Sequence, residues 1–182
     1  MKKSALLDTS FLISLSDRSR LNHGVAKEYY KHMLEAKIIM FFSAIAVSEF
    51  SIKQPISDLP LKTFVMLPFN VQHGIASSKL WGKVTKSPDE TRDALKDDLK
   101  LIGQATREEI DFILTEDKNT MSRYCETLRL AGLTKVRAIK LVDGFDLSNF
   151  NEDGQIDILS SIAASSALTE HGAESKAATQ PL

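Results

Sequence analysis

The sequence predicts an α/β protein in three layers: a central parallel sheet of four to five strands with helices on both faces. Three observations carry that expectation. Short apolar runs recur along the chain, stretches with helical periodicity separate them, and acidic or hydroxyl residues stand where the runs end. At 182 residues, 43% of them apolar, the chain can fill one sizeable core but would be cramped as two domains.

Residues 4–7 are an apolar run that stops at Asp8-Thr9-Ser10, after which Phe11, Leu12 and Leu15 follow helical spacing. That is strand, polar turn, helix. Residues 23–36 put Val25, Tyr29, Met33 and Leu34 on one helical face, and the buried-strand run 38–42 follows Lys37. Ser43 can cap a third helix carrying Ile45, Val47, Glu49 and Ile52. Pro55, Asp58 and Pro60 punctuate a connection, then 61–65 reads as a short helix and 65–69 as a short strand. Residues 71–81 read as a helix with Ile75, Leu80 and Trp81 as its apolar face.

Residues 82–92 are polar, contain Pro88 and lack apolar period, as an exposed loop does. Helix resumes over 94–105, where Asp98, Leu101, Ile102 and Ala105 share a face at offsets of three and four. Residues 111–114 are a brief strand leading into Thr115-Glu116-Asp117; 118–130 form a helix closed by Gly132, and 136–142 a last strand. The body is therefore 1–150. Residues 151–182 are an acidic, low-complexity tail, partly helical over 156–168 or mobile.

The net charge of −1 gives no global pull toward nucleic acid, yet residues 1–150 hold 22 basic against 19 acidic residues and 151–182 one against five. An ordinary solvated surface accounts for so small an imbalance. Cys125 is the single cysteine, so no internal disulfide and no multi-thiolate zinc site can form, and a cytoplasmic setting is expected. The N-terminal residues lack the pattern of a signal peptide, and the longest greasy stretch, 38–47, is about half the ~20 residues needed to span a bilayer. No membrane association is expected.

Asp8 and Asp117 each follow a strand, and in open parallel sheets the carboxyl ends of the strands border the ligand crevice. Both are expected on one edge. Each has a structural alternative as a helix N-cap, and Asp98 has one as a solvated residue beside Lys96 and Lys100. Glu49 shares a helical face with Ile45 and Ile52, so it needs a cation, a basic partner or an opening to water. Clustered carboxylates without a thiol or histidine pair select Mg²⁺ or Mn²⁺ over zinc. His23, His32, His73 and His171 are scattered without metal-site spacing and read as surface residues.

Leu6-Leu7-Asp8-Thr9-Ser10 resembles the opening of PIN domains, whose first strand ends in Asp-Thr-Asn or Asp-Thr-Ser. Residues 43–49 resemble their second acidic motif, 98–105 the third, and Ile113-Leu114-Thr115-Glu116-Asp117 the fourth; Leu67-Pro68-Phe69 is similar to a segment of VapC-type toxins of that family. The resemblance runs in order from about residue 6 to 142. It implies a metal-dependent endoribonuclease, often a toxin held inactive by a small antitoxin, commonly as a homodimer. Asp8, Asp98 and Asp117 would then bind one Mg²⁺ or Mn²⁺, with Asp97 the alternative to Asp98, while Glu49 helps hold a second ion or orients the attacking water. Ser10 and Thr115, with Asn119, would fix the carboxylate rotamers, and basic residues of 83–92 would meet RNA phosphates. A PIN-like module that binds RNA or protein without cutting is the alternative. A haloacid-dehalogenase-type phosphatase needs a second aspartate two residues after the first, where this chain has Ser10.

Overall fold

The computed structural model describes residues 2–86, 90–117 and 120–151. Among them are five strands: β1 (Ser4–Leu7), β2 (Ile39–Ser43), β3 (Val65–Leu67), β4 (Phe112–Thr115) and β5 (Arg137–Lys140). Six α-helices intervene: α1 (Thr9–Ser16), α2 (His23–Glu35), α3 (Ala44–Lys53), α4 (Val71–Leu80), α5 (Arg92–Arg107) and α6 (Thr120–Leu130). All pairings are parallel, in the order β3-β2-β1-β4-β5. Parallel neighbours need crossovers, and the right-handed rule sends those to the left of β1 and those to its right over opposite faces, giving three layers.

The chain order reverses between β1 and β4. At such a switch point the connections leave in opposite directions and open a crevice beyond the strand ends. β1 is buried throughout because it is central, which is why residues 4–7 read as a continuous apolar run. Leu6 and Ile113 face a core built with Leu99, Ile102, Tyr124 and Leu128 of α5 and α6. Among the described residues no helix is long and apolar enough to cross a membrane.

Five expectations need correction. In α2 the buried residues are Ala26, Tyr29 and Met33, while Leu34 is exposed. In α4 the buried residues are His73, Ser77 and Leu80, while Ile75 and Trp81 are exposed. In α3 Ile52 is exposed and the buried face is Ala46 and Phe50. The last strand stops at Lys140, where the chain tightens into a 3-10 turn over Leu141–Asp143. His73 is buried: its Nδ1 accepts the Asn70 N–H (3.1 Å), which leaves Nε2 to donate to Glu108 (2.8 Å).

From Asp146 the chain forms a separate unit, whose described part is a 3-10 turn over Leu147–Phe150 started by Asp146 accepting the Ser148 N–H (2.8 Å). The tail from 152 onward, and Asn119, lie outside the described residues.

Candidate active site

Asp8 is the first residue past β1, and its N–H still donates to Leu114 O of β4 (3.0 Å). Its carboxylate starts α1 by accepting the Thr9 N–H at Oδ1 (2.8 Å), so the capping alternative is realised. The second oxygen is held separately: Oδ2 accepts from the Ser10 hydroxyl (2.6 Å) and from Thr115 Oγ1 (2.8 Å). Those hydroxyls in turn accept backbone N–H groups, Ser10 that of Glu116 (2.9 Å) and Thr115 that of Asp117 (3.0 Å). One carboxylate thereby fastens the end of β1 to the end of β4. Burial raises the Asp8 pKa in spite of these bonds, which oppose the rise.

Asp117 lies two residues past β4 and caps α6, its Oδ2 accepting the N–H groups of Thr120 (3.0 Å) and Met121 (2.8 Å) and the Thr120 hydroxyl. That hydroxyl is also a partner of Asp98, on the adjoining helix α5. The Asp98 pKa is pushed up to about 8, first by burial and then by the negative charges of Asp8, Asp117 and Glu90. The switch point thus brings Asp8, Asp98 and Asp117 into one electrostatic neighbourhood. Asp97, next to it, pairs instead with Lys100 (2.7 Å).

Glu49 reaches the same rim from α3, where Thr9 Oγ1 donates to its Oε2. It is partly buried, at the margin of the helix rather than on the packed face. Burial raises its pKa, the Asp8 and Asp97 charges add to the rise, and Thr9 and Lys100 oppose it.

Two features had little or no signal in the local sequence. Glu90, just before α5, takes the Tyr124 hydroxyl and contributes to the field on Asp98. Gln104, fully buried in α5, accepts from Ser43 Oγ (2.6 Å) and donates to Pro68 O (3.1 Å), tying the helix that carries Asp98 to the ends of β2 and β3. A glutamine inside the apolar run 101–105 was the only hint.

The four candidate donors are all oxygen, which is the chemistry of a hard divalent cation. Burial raises the pKa values of Asp8, Asp98 and Glu49, and neighbouring negative charge adds to the rise at Asp98 and Glu49, which a bound cation would relieve. Among the described residues no three His, Cys, Asp or Glu side chains converge as a ready metal cage, so the fit is one of donor chemistry.

A pH dependence follows for protein kept free of divalent ions. Asp98 holds its proton up to about pH 8 in the folded state but only to about 3.8 when unfolded, so its contribution to stability is complete at low pH. It is lost as pH rises across that window. Asp98→Asn removes the loss, so thermal melts should show the variant gaining on the wild type steadily from about pH 4 to pH 8. A constant difference across that range would count against the burial of Asp98.

A parallel sheet ordered in this way, with acids at the crevice beside its central strand, defines a PIN-like α/β/α fold. The chain is similar in structure to VapBC2 from Rickettsia felis bound to a DNA fragment from their promoter, at 10% identity over 75% of this chain and 99% of that one, with a TM-score of 0.51. It is likewise similar to FitAcB from Neisseria gonorrhoeae, at 15% identity over 76% and 98%, with a TM-score of 0.52. At such identities the likeness is one of fold. No family's sequence profile and no curated protein matches the chain.

Proposed function

We propose that this chain is a divalent-metal-dependent endoribonuclease, the toxin of a toxin–antitoxin pair. The observation that carries the reading is the seating of Asp8 and Asp117 on neighbouring strand ends at the switch point, with Asp98 in the field of both. Asp8, Asp98 and Asp117 would hold Mg²⁺ or Mn²⁺, which when bound stabilises charge on the phosphate and acidifies water. Ser10 and Thr115 keep Asp8 in one rotamer. Glu49 has Oε2 engaged by Thr9, so Oε1 is the atom to take a proton from the attacking water as the water oxygen bonds to phosphorus; the P–O bond to the leaving sugar oxygen breaks and that oxygen takes a proton from solvent. The likeness to VapBC2 and FitAcB supports an antitoxin as partner. A homodimer and a cytoplasmic setting belong to the reading as what the motif resemblance and the single cysteine imply.

The test is a melt at fixed pH near 7.5 with and without about 1 mM Mn²⁺, paired with cleavage of single-stranded RNA. Wild type should gain stability with the ion and cut, because ligand binding to the folded state alone raises its melting point. Asp98→Asn should do neither. RNA bound but never cut, with a melt indifferent to Mn²⁺, would make the chain a PIN-like binding module.

A further inference from the structure

The structure leaves Trp81 on the surface. It is the single tryptophan of the chain and follows the last residue of α4, with 45% of it exposed. The Arg92 guanidinium, at the start of α5, lies over its ring at 5.7 Å from the centroid. An indole left open to water forgoes the burial that usually stabilises so large an apolar group, so an exposed tryptophan beside cations suits a ligand with a flat face and negative charge.

The surroundings have that charge. Residues 79–92 hold four basic residues, Lys79, Lys83, Lys86 and Arg92, against two acidic ones. Glu90 is engaged by Tyr124, and beyond it Asp93 pairs with Lys96 (2.9 Å). The location also fits, since Asp98 is only six residues after Arg92 on α5, about 9 Å along the helix axis.

On this basis, and resting on the nuclease reading, we infer that Trp81 and Arg92 form a stacking platform for an unpaired RNA base close to the acidic rim. The indole carries the base and Arg92, with Lys83, meets the adjoining phosphates; duplex RNA, whose bases are already stacked, is refused. The device places a nucleotide beside the bond to be cut without reading its sequence.

Because Trp81 is the single tryptophan, its own fluorescence reports the event in the unmodified full-length chain. With EDTA present to prevent cleavage, titration with a single-stranded RNA of about a dozen nucleotides should quench the emission in step with the anisotropy of labelled RNA. The same sequence as a duplex should leave it unchanged. Trp81→Ala should raise Kd and, with Mn²⁺, KM by roughly five- to a hundredfold while kcat stays within about twofold, and Trp81→Phe should recover part of the loss. If RNA is bound and cut while the emission and the Trp81→Ala affinity stay unchanged, the platform is overturned and the nuclease stands. Equal quenching by duplex overturns it too. RNA neither bound nor cut removes both.

Discussion

Asp8→Asn should lower the single-turnover rate of RNA cleavage with Mn²⁺ by about a hundred- to a thousandfold while leaving the protein folded. The magnitude follows from what is removed: a group that positions or neutralises charge at the reacting phosphate typically contributes a factor of about 10² to 10³, and the Asp8 carboxylate is bonded to Thr115 at the end of β4 while its own N–H donates to Leu114 O. The fold should survive because asparagine caps helices as well as aspartate does, so the bond to Thr9 N–H persists and α1 keeps its start. The amide must turn an NH₂ toward Ser10 and Thr115, whose mutual contact at 3.1 Å can carry either donor order, and the loss of a buried charge offsets the rearrangement. Thr115→Ala should be milder, about 10- to 100-fold, since it loosens Asp8 without removing it. A folded Asp8→Asn protein that cuts at the wild-type rate would sink the mechanism.

The strands and the handover at Asp8 were legible because they depend on local chemistry. A four-residue apolar run, an abrupt polar turn and a new period need no knowledge of the rest of the chain. Faces within short helices were not legible in the same way. In α3 Ile45, Val47, Phe50 and Ile52 spread round the helix, so periodicity alone cannot choose a side, and the neighbouring α1 and β2 decide for Ala46 and Phe50. The face shared with Ile52 does not place Glu49, since Ile52 is exposed; its place near Asp8 rests on Thr9 instead. Trp81 falls outside the expected apolar face for a related reason: α4 ends at Leu80 and the chain turns extended at the tryptophan, off the helix and out of its stripe. Glu90 with Tyr124, 34 residues apart, and Ser43 with Gln104, 61 apart, are pairings that only the completed sheet creates.

Gly103→Ala tests the frame that carries the site, and it should destabilise the protein by about 3 kcal/mol or more, lowering the melting point by roughly 10 °C. By helix propensity the change should help by nearly 1 kcal/mol, so the sign of the result separates packing from local preference. Packing wins because α4 and α5 touch at backbone level there: a Cβ on residue 103 would lie 2.6 Å from Ser77 Cα and 2.7 Å from Ser77 N. Relief would require the two helices to part by nearly 1 Å, and α5 cannot move alone, since Gln104 in the next position is bonded to Ser43 and Pro68. Ser77→Gly should rescue the variant only in part, because it removes the nearest atom, the Ser77 hydroxyl oxygen, but leaves the Ser77 Cα and N in the way. The strain should also reach the chemistry, as Asp98 lies little more than one turn before Gly103 on α5, and residual folded protein should cleave RNA more slowly than wild type. Chemical denaturation decides the matter: a Gly103→Ala stability within about 0.5 kcal/mol of wild type would mean that α4 and α5 do not meet at this point.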